Sequence, residues 1–357
     1  MRGISKIKEA EIISESPRAA QGTASTDGMD PKRRKKLTQR AIVLSILLVA
    51  SYAVWANWQW LLDQYIIWQN PPSTEIIDMA EKTTMNDYAK RIFYASVPQL
   101  NDAATFNEHC TNHGSEMVLL GCFYRGKIYI FDITDVEIAG AKYVTAAHEM
   151  LHAAYNRLDP LEKIQIDAQL EAMYKALDNV ELNQLMADYD KTEPGEKYNE
   201  LHSIIGTEYA ELTPALEGYY ARYFNDQDAV AALASQYKQV FKDLENTQKE
   251  LNTKMDALKS KIDEDMLTYE TKLDGLNADI SSFNVRSSTD QFINGAQFNT
   301  ERNKLLARQE ALDVLINQIQ ADIKQYNTWV EEFNKIGGRA QELNKSFNSH
   351  AAEVTGG

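Results

Sequence analysis

The sequence predicts a mainly α, α+β chain in four parts: a disordered basic tail over 1–40, a transmembrane helix over 41–62, a folded α+β domain with a small β-hairpin over 63–234, and a long antiparallel helical hairpin over 235–357. Three observations carry this. Residues 41–62 are mostly apolar and carry no charge, long enough to cross a bilayer as a helix. The middle of the chain switches between helical and strand periodicities around turn residues. Beyond Ser235, apolar residues recur in alternating threes and fours, the spacing of a coiled coil.

The charge is divided. Residues 1–40 hold ten Lys/Arg against five Asp/Glu, leaving 27 against 47 for the rest of a chain whose formal charge is −15. The acidic body has no basic patch to neutralise phosphates, which excludes nucleic acid as a partner. Lys32-Arg-Arg-Lys-Lys36 abuts the apolar stretch as a flank, Trp55, Trp58 and Trp60 gather towards its far end with Trp68 beyond, and no Lys or Arg follows until Lys82. The positive-inside rule then puts the N-terminus in the cytoplasm and the remainder outside a cell membrane crossed once. A cleaved signal peptide is the alternative, but its charged leader would be long and no small-x-small site follows the apolar run.

Pro71-Pro72 ends a juxtamembrane segment, and Glu75–Ile92 carries apolar residues at helical spacing. Cys110 and Cys122, the only cysteines, fall on the external side and are expected to pair; free thiols, or a second metal site with His109 and His113, are the alternatives. From Met117 to Asp132, two β-rich runs flank Arg125-Gly126, a hairpin signature. Tyr143–Tyr155 is a helical pattern free of Pro and Gly. Asn156–Pro160 ends it, Leu161–Asp190 reads as one or two core helices, and Thr213-Pro214 caps a helix over 215–224. Two runs of nearly fifty residues then flank Ser287–Gly295, favouring a hairpin of roughly 70 Å over a single rod. A parallel dimer through the first run is the alternative.

The helix over 143–155 contains His148-Glu-Met-Leu-His152, an HExxH motif. Residues four apart share a helix face, so both imidazoles can meet one Zn²⁺ while Glu149 reaches its bound water. A catalytic zinc takes three protein ligands. The metzincin pattern would need Gly at 155 and His at 158, where this chain has Tyr155 and Leu158.

The block from about Arg91 to Phe224 resembles a membrane-anchored, gluzincin-type zinc metallopeptidase domain of bacterial origin. The elements that carry the resemblance are His148–His152, Leu119-Leu-Gly-Cys122, Gly206-Thr-Glu208 and Leu216–Phe224. It implies a zincin-like fold, with Glu208 on a later helix as third metal ligand and His202 and Glu200 as rivals. It also implies that the strand before the motif, Lys127–Asp132, pairs with an extended substrate, and that a Tyr, with Tyr219, Tyr220 and Tyr223 as candidates, holds the oxyanion. The coiled coil matches nothing functional.

The expected function is that of an extracytoplasmic zinc metalloendopeptidase, a hydrolase of protein or peptide substrates with Glu149 as general base. Its coiled coil would position the enzyme, bind a protein partner or self-associate. A non-enzymatic surface scaffold with a structural or vestigial zincin domain is the alternative, and a peptidoglycan or small-peptide hydrolase is a third possibility.

Overall fold

The computed structural model describes residues 31–110, 120–192 and 194–350, and the chain divides between Leu61 and Leu62 into an N-terminal unit and a body. The expected tail falls outside the described residues as far as position 30. From Pro31 the chain is helical.

In the N-terminal unit, α1 (Pro31–Ala56) contains a 25-residue stretch, Lys32–Ala56, whose apolar window has a mean hydropathy of 1.7. At about 1.5 Å per residue it exceeds the roughly 30 Å of a bilayer's hydrocarbon core and could span a membrane. A signal sequence has the same signature. The expected span of 41–62 is interrupted at Asn57, whose side-chain amide donates to the Ala53 carbonyl at 2.8 Å. Trp58–Leu62 therefore belongs to the next helix, α2 (Trp58–Gln69).

The body begins on α2. Asp63 is 1% exposed, and its carboxylate accepts from Arg157 Nη1 at 3.0 Å and lies 3.7 Å from Arg91 Nε. The helix expected over 75–92 is two helices, α3 (Thr74–Lys82) and α4 (Asp87–Ala95). The Asn86 side chain caps the second at 3.0 and 3.1 Å, and capping residues favour restarting a helix over continuing one. Next come β1 (Gln99–Asn101), α5 (Ala103–His109), β2 (Gly121–Tyr124) and β3 (Lys127–Phe131). The β2–β3 hairpin forms as expected around Arg125 (φ 52°) and Gly126 (φ 78°), a pair of left-handed residues suited to a two-residue turn, although Met117–Leu119 lie outside the described residues. Strand β1, three residues long and directly after Pro98, is too short for periodicity to reveal. It pairs parallel to β3 and gives the order β1-β3-β2.

Alternation along β3 divides the core. Ile128 and Ile130 point into one apolar cluster, Tyr129 and Phe131 into another with Phe106, Ile133, Ile138 and Cys110. Cys110 and Cys122 form a disulfide that ties α5 to β2. The first cluster surrounds α6 (Gly140–Tyr155), most of whose residues are buried, as expected of a helix that is apolar nearly all round.

Of α7 (Pro160–Leu177), α8 (Val180–Thr192), α9 (Lys197–Glu208) and α10 (Pro214–Tyr220), α9 packs against α6, α7 and α8 pack on α9, and α10 bonds to α9 through the Tyr220 hydroxyl and the His202 carbonyl. Asp159 and Glu162 form a capping box on α7, and Thr213 caps α10. Two long helices follow, α11 (Gln227–Ser288) and α12 (Gly295–Phe347). The pairs Asp279–Arg308, Arg286–Glu301 and Lys261–Asp322 show that they run antiparallel. Exposed ion pairs contribute little, so the apolar seam of Leu251, Met255, Leu276 and Phe283 with Leu312 and Ile319 holds them. The root of this hairpin is embedded in the body: Val230 joins the first cluster, while Leu343, Tyr237, Phe241 and Phe347 pack into the second.

Gly206 sits within α9 without breaking it. A β-carbon there would lie 2.4 Å from Tyr220 Cε1 and 2.7 Å from Leu151 Cδ1, whereas one at Gly218 would meet nothing within 4 Å. Gly206→Ala should therefore destabilise the protein by about 1–3 kcal/mol in urea unfolding. Gly218→Ala should be neutral or stabilise it by up to about 1 kcal/mol.

Candidate metal centre

His148 and His152 lie one turn apart on α6, with their Nε2 atoms 3.0 Å from each other. Glu200, on the facing side of α9, brings Oε1 to 3.5 Å from His152 Nε2 and Oε2 to 3.8 Å from His148 Nε2. One ligand atom from each of the three lies within 4.8 Å of the others, so the group could hold a metal ion. Two imidazole nitrogens and a carboxylate oxygen are the donor set of a metal site that keeps a position open. The residues fit that role, because Glu200 Oε2 is buried with no hydrogen-bond partner among the described residues, a costly state that a cation would relieve.

The neighbours of His152 fix its tautomer. Asn199 Nδ2 donates to Glu196 at 2.9 Å, which turns Asn199 Oδ1 towards His152 Nδ1, 3.0 Å away. A carbonyl oxygen only accepts, so Nδ1 carries the proton and Nε2 keeps its lone pair directed at the group. Electrostatics agree. Burial opposes charge on His148, but the Glu200 carboxylate 3.8 Å away and the charges of Glu149 and Glu208 raise its pKa. Burial would raise the Glu200 pKa, yet His152 and His148 hold it below the usual carboxylate value. The group prefers a positive charge beside its carboxylate.

Glu149, 4% exposed, stands next to His148 on α6, pressed against β2. A β-carbon at Gly121 would fall 2.7 Å from Glu149 Oε1 and 2.5 Å from Thr145 Cγ2, so only glycine lets strand and helix approach this closely. Gly121, Cys122, Phe123 and Tyr124 form one wall of a cleft of about 530 Å³ that contains His148, Glu149, His152 and Glu200; Tyr189, Thr192 and Glu196 lie along it too. A groove of about 550 Å³ along the helical hairpin, beside Lys272, Arg308 and Leu315, is lined by no His, Cys, Asp or Glu.

Several expectations change. Glu208 is not in the His-His-Glu group: it ends α9, two turns beyond Glu200, and pairs with Lys238 of α11. His202 is two residues from Glu200 and so on the opposite side of the helix. It is fully buried, its Nε2 is 2.9 Å from the Tyr219 hydroxyl, and burial with the nearby His152, His148 and Arg222 pushes its pKa down to about 3. Tyr219, Tyr220 and Tyr223 pack around His202 and do not line the cleft. Cys110 is bridged to Cys122, which removes it as a metal ligand beside His109, and His113 lies outside the described residues. Strand β3 has a partner on both sides, so among the described residues the edge strand at the cleft is β2. Asn199, Glu196 and Tyr189 were not anticipated. The one available signal was the adjacency Asn199-Glu200, an amide that can orient a histidine next to a carboxylate that can share its metal.

After zinc loading and dialysis, the full-length protein and Glu208→Gln should retain one metal per chain by mass spectrometry of the metal, and Glu200→Ala should lose it. Asn199→Leu should weaken binding by about 10–100-fold. No family model matches the chain, and neither does any curated protein or solved structure.

Proposed function

We propose that this chain is a membrane-anchored zinc metallopeptidase of zincin type, with α1 as its anchor, its N-terminus in the cytoplasm, and its body and coiled-coil hairpin outside. The observation that carries the reading is the convergence of His148, His152 and Glu200 with Glu149 in one cleft. Two nitrogens and one oxygen suit Zn²⁺. The Cys110–Cys122 disulfide supports an oxidising compartment for the body.

A zinc ion held by His148, His152 and Glu200 would supply a water of pKa near 7 and Lewis-acid polarisation of the scissile carbonyl. The chain's own residues do the rest. Asn199 keeps the His152 ring in the ligating tautomer. Glu149 takes the proton of the attacking water and delivers it to the leaving nitrogen; because water and not a side chain is the nucleophile, no acyl-enzyme forms. Packing against Gly121 restricts where that carboxylate can go. The β2 edge offers backbone groups to an extended peptide, giving affinity with little side-chain selection.

Purified full-length protein should cleave an unstructured protein such as casein. Glu149→Gln should keep its zinc and lose about 10²–10⁴-fold in rate. Zinc retained with cleavage that does not depend on Glu149 would assign the metal a structural role and favour the scaffold reading.

A further inference from the structure

We propose that the body rests on the lipid surface through the exposed faces of α2 and α7, with Tyr65, Trp68, Leu161 and Ile164 set into the bilayer interface. This rests on reading α1 as a membrane anchor and is independent of the peptidase reading.

Helix α2 turns Asp63, Ile66 and Ile67 towards the body and Leu62, Tyr65 and Trp68 outwards, with Tyr65 58% and Trp68 75% exposed. Between Leu62 and Thr74 the only charged residue is Asp63, which is buried. An exposed segment with aromatic rings and no accessible charge suits a membrane interface better than open water. The Asp63–Arg157 pair, at 3.0 Å, clamps α2 to the residue three positions before α7 begins. There Leu161 is 71% and Ile164 66% exposed, and Ala168 continues the same outward face one turn on, opposite the buried Ile166, Leu170 and Met173. Two outward apolar faces thus flank one buried clamp.

Chain continuity names the occupant. Asp63 follows Ala56, the end of the apolar stretch, by only seven positions, so a chain anchored through α1 keeps α2 within reach of the lipid surface. Docking through both helices would hold the cleft at a set height above the lipid.

The test uses the full chain in vesicles. Ile164→Cys and, as reference, Val180→Cys at the exposed start of α8 are labelled with an environment-sensitive fluorophore, the native cysteines being tied in their disulfide. Vesicle flotation first confirms membrane insertion. The expected result is a blue-shifted label at 164, quenched several-fold more strongly by spin-labelled lipid than the label at 180. Equal, water-like emission at both positions in floating vesicles would overturn the docking while leaving the anchor intact. A label at 164 shielded from water but not quenched by lipid would overturn it in favour of a protein partner. A chain that fails to float would overturn the anchor, and the docking with it.

Discussion

A β-carbon at position 206 would collide with Leu151 of α6 and Tyr220 of α10, so α9 can lie against α6 only because that residue is glycine. This approach sets the reach of Asn199 and Glu200, which must meet His152 and His148 across the same interface. Helix packing distances vary with the side chains at the contact, and a shift of even an ångström would draw the Glu200 carboxylate away from the two imidazoles. On the other flank, Gly121 lets β2 press on Thr145 and Glu149. Two glycines, one in a helix and one in a strand, thus allow the elements around the cleft to close on α6.

Much of this was legible in the sequence and some was not, for physical reasons. Spacing of four on a helix is a local property, so His148, Glu149 and His152 could be assigned one face before any fold was known. The turn at Arg125-Gly126, the Thr213 cap and the pairing of the two cysteines are likewise short-range or forced by number. The third ligand depends on how α9 is rotated about its axis, which tertiary packing decides: Glu200 and Glu208 are both acidic residues on the same helix, but only the first faces α6. The resemblance pointed to the second, and the geometry groups the first. Strand β1 was missed because three residues carry no readable period, and the break between α3 and α4 was missed because apolar spacing continued across the capping Asn86.

The long helices change what the C-terminal third contributes. Apolar spacing suggested a helical hairpin separate from the folded domain, yet the base of α11 and the end of α12 complete the second apolar cluster, against Phe106, Tyr129 and the Cys110 half of the disulfide. On the other face of β3, Ile128 and Ile130 join the first cluster with α6, and Cys110 of the second cluster lines the cleft itself. A perturbation of the hairpin root therefore has a packed route to the sheet whose edge lines the cleft.

The central claim is that His148, His152 and Glu200 form a catalytic-type zinc site. X-ray absorption at the zinc edge of the loaded full-length protein tests it most directly. The account predicts two imidazole nitrogens and oxygen donors at about 2.0–2.2 Å, with one position left to water. Sulfur in the coordination shell, a single imidazole, or the absence of stoichiometric zinc would contradict it.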